Sequence, residues 1–261
     1  MTSAERRPAL LVTRPDGQAD ELLDQLQLLG CEVRHQPLMH IRRFSDDDSP
    51  EAQAVRQRIL ATDEYYAVIA ISQNAAESGL DWMDRYWPQM PAGVLWFGVG
   101  PTTALPMQQA GLNALIPEER FDSEGLLQRP ELQTEAVRDQ KILIWRGVGG
   151  RETLASVLRE RGARVDYAEL YTREPVISTA ERWQALLGDR PVVLLSSAQA
   201  LDIIEQQVPD LAHKVTALLV PGERGAGIAR ERGYSQVLVA TSARNEDTLH
   251  TLREWIAAGA P

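Results

Sequence analysis

Small hydroxylic residues, glycines and two arginines follow the apolar runs of this 261-residue chain. Thr13 and Arg14 follow "LLV"; Ser72, Gln73 and Asn74 follow "VIAI"; Gly98, Val99, Gly100, Thr102 and Thr103 close or follow "LWF". Arg146 and Gly147 follow "ILIW", Ser196 and Ser197 follow "VVLL", and Gly222 and Arg224 follow "ALLVP". Turns of this composition at the starts of helices expose backbone N–H groups, which bind carboxylates or phosphates. A guanidinium adds a planar fork that matches a carboxylate. Each residue also has a plainer explanation. Ser, Thr and Gly cap helices wherever helices begin, and Arg14 and Arg146 could each pair with a neighbouring helix start. Several such turns on two lobes facing a cleft would, however, grip a polyanion.

Other chemistries leave no trace. There is no G-x-S-x-G elbow, no Walker A loop and no H-E-x-x-H motif. Cys31 is the only cysteine, so an internal disulfide is impossible, and it sits in an apolar strand pattern as a small buried hydrophobe. His35, His40, His213 and His250 lack metal-ligand spacing to one another or to Cys31, so no metal site is expected. An enzyme built this way needs neither metal nor covalent nucleophile and works by geometry with acid assistance. The formal charge of −10 argues against nucleic acid or an anionic membrane as partner. No apolar run is long enough to span a bilayer. The "ALLV" near the start suits a strand rather than a signal peptide, so a cytoplasmic protein is expected. Nothing resembles a heptad, so a monomer is expected.

The elements that position these residues emerge from an internal repeat. Residues 10–41 align without a gap on 142–173, with seven identities: Leu11/Leu143, Arg14/Arg146, Leu22/Leu154, Leu26/Leu158, Gly30/Gly162, Val33/Val165 and Leu38/Leu170. Each copy reads as strand, Arg-containing turn, amphipathic helix, C-terminal glycine and strand. The repeat continues as 67–80 against 192–205, with Ser72 on Ser197. Residues 95–111 then match 217–233, with Gly100 on Gly222 and Gly111 on Gly233. Finally "SEGLL" (123–127) matches "NEDTL" (245–249), both read as helix caps. Gly98 and Gly100 form G-x-G, but the equivalent turn lacks it. The motif lies mid-chain with no ribose carboxylate at the next strand end. A nucleotide-dependent enzyme using residues 98–103 stands only as an alternative.

Apolar strands alternating with helices predict an α/β protein with two doubly wound parallel-sheet domains of similar build. Segments 37–42 and 168–175 occupy matching places in the repeat and read as a two-stranded linker. Domain 1 is then discontinuous, residues 1–36 plus 176–261, and domain 2 spans 43–167. The two crossings suggest a hinge, with Arg42 and Arg173 as further cations beside it. Residues 44–64 read as a charged, helical, solvated face.

Taken together, "LLVTRPDGQADELLDQLQLLGCEV", "ISQNA", "FGVGPTTA", "FDSEGLL", "ELYTRE" and "VVLLSSAQA" resemble the uroporphyrinogen-III synthase family in order and spacing over nearly the whole chain. The resemblance implies a lyase that closes a linear tetrapyrrole with eight carboxylates, hydroxymethylbilane, to uroporphyrinogen III. It implies loss of water and inversion of the terminal ring through an azafulvenium cation and a spiro intermediate, with no cofactor. It also implies that Tyr171, in "ELYTRE", is the catalytic proton donor, although a tyrosine packed for structure would look the same. "PGERGAG" departs from the Thr-Thr of some family members, so only backbone donors are carried over to Gly222–Gly225. A non-catalytic two-lobed binder of an anionic metabolite is the alternative. The absence of an appended DNA-binding or membrane segment after "WIAAGAP" favours the enzyme.

Overall fold

The computed structural model describes residues 7–150 and 152–259. The first six residues of the expected first domain and the last two of the "WIAAGAP" tail lie outside the described residues. Eleven strands follow one another among them: β1 (Leu10–Val12), β2 (Val33–His35), β3 (Met39–Arg43), β4 (Ala67–Ala70), β5 (Leu95–Gly98), β6 (Ala114–Leu115), β7 (Lys141–Gly147), β8 (Arg164–Pro175), β9 (Val192–Leu194), β10 (Ala217–Pro221) and β11 (Val237–Ala240). The apolar runs read as strands in the sequence are β1, β4, β5, β7, β9 and β10. The chain divides into two compact units, Met1–His40 with Glu174–Pro261, and Ile41–Arg173. It passes between them within β3 and β8.

In the first unit the sheet order is β11-β10-β9-β1-β2, and every adjacent pair is parallel. In the second it is β3-β8-β7-β4-β5-β6, with the pairs from β8 to β6 parallel. Replacing β2-β1-β9-β10-β11 by β8-β7-β4-β5-β6 maps one sheet onto the other. The sequence repeat is therefore a fold repeat. The two copies differ in whether the strand–helix–strand piece opens the unit or closes it.

Both faces of each sheet are buried, which explains why the strands are continuously apolar rather than alternating. Along β1, Leu10 and Val12 enter one core while Leu11 enters the other. Along β7, Ile142 and Ile144 go one way and Leu143 and Trp145 the other. The helix Asp20–Leu28 buries Leu22 and Leu26, and Thr153–Glu160 buries Leu154, Ala155 and Leu158. Gly30 (φ +75°) and Gly162 (φ +92°) follow these helices in the left-handed conformation that terminates them. Cys31 is buried, as its apolar setting suggested.

The two expected caps shift by one residue. Asp122, not Ser123, caps its short helix by accepting the Gly125 N–H at 2.8 Å, because its carboxylate reaches three residues on. Asn245 starts the helix Asn245–Ala257 after an uncapped Arg244. Its amide is engaged elsewhere, accepting from Arg14 and donating to Glu21 at 2.9 Å. Within 44–64, the helix Pro50–Leu60 is not solvated all round: Ala52, Val55 and Ile59 are buried. Among the described residues, no helix is long and apolar enough to cross a membrane.

Candidate functional site

Strand order reverses between β4 and β7 in the second unit, and at such a point the carboxyl ends of the strands open a crevice. A cavity of ≈ 260 Å³ lies there, lined among others by Ile71, Arg146, Gly147, Tyr167, Tyr171 and Arg173. The helix Gln73–Tyr86 begins beside it, capped by Ser72, whose Oγ accepts the Ala75 N–H at 3.1 Å.

A break in β8 sets the position of Tyr171. Arg146 pairs with Glu169 but Gly147 pairs with Tyr171, so β8 carries an extra residue at this point. A bulge of this kind bends a strand and re-aims a side chain. Strict alternation would send Tyr171 to the face opposite Leu170. Instead both enter the core beneath the helix Gln73–Tyr86. Tyr171 is fully buried. Its hydroxyl lies 3.0 Å from Ser72 Oγ and accepts from Arg173 Nη2 at 3.0 Å. Gly147 leaves room for the ring: a Cβ there would stand 2.5 Å from Tyr171 Cε2.

Arg146 is also buried, and each of its three nitrogens makes a bond in or beside the turn. It bonds Glu152 at 2.7 Å, the Gly147 carbonyl at 3.2 Å and the Gly149 carbonyl. Its Cζ stands 4.5 Å above the Tyr167 ring, a cation–π contact. The Tyr167 hydroxyl and, next, Arg146 hold the Glu152 carboxyl below the usual carboxylate range. Burial first and Glu152 second raise the Tyr167 phenol. Arg146, Glu152 and Tyr167 thus lock the 147–150 turn. Tyr167 and Glu152 escaped the sequence reading because neither follows an apolar run in the turn pattern.

The turn after β5 lies two strands away. A Cβ on Gly98 would stand 2.9 Å from the Ala104 N, and one on Gly100 would be 3.2 Å from Phe121 Cβ. Both positions therefore keep the backbone close-packed. Thr103 is buried, Thr102 is exposed and Val99 is half-buried. Gln73 bonds Glu77 at 2.8 Å. Asn74 is half-buried and Arg42 is exposed, with its Cζ 5.4 Å above the Phe44 ring.

In the first unit the equivalent reversal lies between β1 and β9. Thr13 Oγ1 donates to the Leu194 carbonyl at 2.8 Å and is buried. Arg14 donates to Asn245 and to the Ala243 carbonyl at 2.6 Å, and desolvation lowers its pKa. It ties its turn to the last helix. Ser197 caps the helix Ala198–Gln207 through the Ala200 N–H at 3.2 Å, with Ser196 half-buried beside it. Gly222 (φ +72°) opens the helix Gly222–Glu231, and Arg224 is exposed on its first turn.

A larger cavity of ≈ 540 Å³ in the second unit touches Glu118, Glu119 and Glu124 with Arg120 and Arg129, and both arginines are paired with glutamates of the lining. Its carboxylates would repel an anion. The smaller cavity has two arginines, three glycines and two phenols among its described lining residues and no carboxylate, and is the stronger candidate.

Three comparisons bear on this arrangement. The family described as uroporphyrinogen-III synthase HemD matches residues 20–250. Uroporphyrinogen-III synthase of Escherichia coli (strain K12) is 35% identical over 261 residues, covering 94% of this chain and 100% of that protein. The Salmonella typhimurium (strain LT2) protein of the same name is 32% identical, with the same coverage. A crystal structure of a mutant uroporphyrinogen III synthase from the extremely thermophilic bacterium Thermus thermophilus shares the fold. Its TM-score is 0.60 at 14% identity, over 96% of this chain and 99% of that one. The uroporphyrinogen-III synthetase from Helicobacter pylori 26695 follows at a TM-score of 0.53 and 13% identity, over 95% and 99%.

Proposed function

The chain belongs to the uroporphyrinogen-III synthase family, and we propose that it closes hydroxymethylbilane to uroporphyrinogen III with Tyr171 as proton donor. The observation that carries this role is the Tyr171 hydroxyl, held between Ser72 and Arg173 while the residue lines the cavity where strand order reverses.

The substrate's eight carboxylates need many donors. In the second unit the turns at 72–74, 98–103 and 147–150 offer backbone N–H groups other than those of Val99, Thr103 and Val148, which bond within the protein; the first unit carries like turns of its own at 196–197 and 222–225. The first N–H groups of a helix have no partner within it and carry the positive end of its dipole. Thr102 adds an exposed hydroxyl, and Arg224 an exposed guanidinium. Arg14 and Arg146 brace the turns from within, through two and three of their N–H donors respectively. These local donors oppose the chain's net negative charge at the site itself.

At the reacting end, Tyr171 gives its proton to the terminal hydroxyl, which leaves as water. General-acid help of this kind contributes about 10²–10⁴-fold. Folding the bilane so that its last ring inverts matters more than the acid, because closure without an enzyme gives the uninverted isomer. In the same proposal the chain acts as a cytoplasmic monomer.

The test is a coupled assay. Hydroxymethylbilane is generated in place, the protein is added without metal or nucleotide, and oxidised porphyrin isomers are separated. Excess type III is expected, and Tyr171→Phe should lower its rate without unfolding the protein. Type I alone from folded wild-type protein would leave a binder of an anionic metabolite. Unchanged turnover in Tyr171→Phe would remove the acid role.

A further inference from the structure

Two hydroxyls and one guanidinium meet just beyond the carboxyl end of β4, beside the later part of β8, and counting their hydrogens shows a constraint. Arginine has no acceptor, so the 3.0 Å contact runs one way: Arg173 Nη2 donates and the Tyr171 oxygen accepts. A second direction is equally fixed. The Ala75 N–H donates to Ser72 Oγ. Between these two fixed donors lies the 3.0 Å contact of Ser72 and Tyr171, in which either hydroxyl can donate. One of the two hydroxyl hydrogens is used in that contact, and the other must leave the cluster. If Ser72 donates, both Tyr171 lone pairs are filled and the phenol hydrogen points outward. If Tyr171 donates, the Ser72 hydrogen does.

We propose that Arg173 is a positioning residue which, with Ser72, turns the Tyr171 hydrogen outward for transfer and holds the oxygen once the proton has gone. This rests on Tyr171 being the proton donor. In the step itself the phenol O–H bond breaks as the proton joins the substrate's hydroxyl oxygen. The C–O bond breaks with its electron pair on the departing water, leaving the substrate cation. The phenolate then accepts from both Ser72 and Arg173, one of them charged. Such a charge-assisted bond is about twice as strong as a neutral one. The proton lost from the pyrrole α-carbon on ring closure restores the phenol.

Packing does not explain Arg173. Its side chain is exposed, yet one of its nitrogens is bonded to a fully buried phenol and its Cζ lies 5.3 Å from that ring. The bulge in β8 brings Tyr171 under the Ser72 cap and leaves Arg173 two residues on, within reach of the same oxygen.

The test is a kinetic cycle on the full chain. Type III formation is measured for Arg173→Gln and Arg173→Lys, each with Tyr171 present and in the Tyr171→Phe background, with melting temperatures confirming folding. Arg173→Gln is expected to lower kcat about tenfold or more with KM nearly unchanged, as for the loss of a charged hydrogen bond made in the transition state. Arg173→Lys recovers part of the rate. In the Tyr171→Phe background, Arg173→Gln has no further effect, because its target atom is gone. Ser72→Thr, which keeps hydroxyl and cap, retains activity that Ser72→Ala loses. A raised KM with unchanged kcat overturns the inference, since the guanidinium then contacts a substrate carboxylate. A full-sized Arg173→Gln effect persisting in the Tyr171→Phe background overturns it as well. Wild-type kcat in Tyr171→Phe alone is a separate failure: it removes the acid assignment, and the positioning role with it.

Discussion

Gly147→Ala probes the site through space alone. The added methyl would stand 2.5 Å from Tyr171 Cε2 and 2.7 Å from Cζ, whereas carbon atoms pack at about 3.5–4.0 Å. Tyr171 is fully buried, so its ring must retreat by roughly 1 Å to restore contact. A ring shift of that size carries the hydroxyl out of register with Ser72 and Arg173, both 3.0 Å away. A misplacement of about 1 Å costs on the order of 10²-fold in rate. Overpacking costs about 1–3 kcal/mol, equivalent to a fall of roughly 2 to 12 °C in melting temperature for a protein of this size. The coupled isomer assay reads the first effect as slower type III formation and more type I, and calorimetry reads the second. Gly147 carries no left-handed φ, so backbone strain does not confuse the result. Wild-type turnover together with a wild-type melting temperature would refute the reasoning, because the ring would then have had room to move.

Two further outcomes are expected. Glu152 has its folded pKa lowered by Tyr167 and Arg146, so its stabilisation is present above the ordinary carboxylate pKa and is lost as pH falls through the lowered value. The difference in melting temperature between the wild type and Glu152→Gln should therefore be full near neutrality and shrink below about pH 4; a constant difference down to about pH 2 would count against the pairing. Gly227 lies inside the helix Gly222–Glu231 with nothing near an added Cβ. Gly227→Ala is expected to raise stability by about 0.5–1 kcal/mol with turnover intact, and denaturant melts showing a loss would contradict the open space around it.

The repeat in the sequence carried the fold a long way. Leu22, Leu26, Gly30 and their partners Leu154, Leu158 and Gly162 were legible because helix period and helix termination are local. The uniformly apolar strands announced two buried sheets for the same reason. The turns at Ser72, Gly98–Thr103, Gly147 and Ser197 could be placed at strand ends from order alone. The caps were less legible, because which oxygen reaches an N–H three residues on depends on what else engages it, as Asn245 shows by serving Arg14 and Glu21.

Pattern could not decide what a side chain would do after the chain had closed around it. Arg14 and Arg146 have equivalent places and a guanidinium suited to an anion, yet both are engaged by carbonyls or side chains close to their own turns. The sequence marks Tyr171 through its family motif, but period-two alternation puts it on the wrong face. Only the extra residue in β8, set by the pairing of Gly147 with Tyr171 rather than Leu170, turns the phenol toward Ser72 and Arg173. A bulge belongs to two strands at once. Residues far apart in the chain fix it, and so the sequence determined the strands, helices and turns of this protein while the tertiary pairing decided where the Tyr171 phenol points.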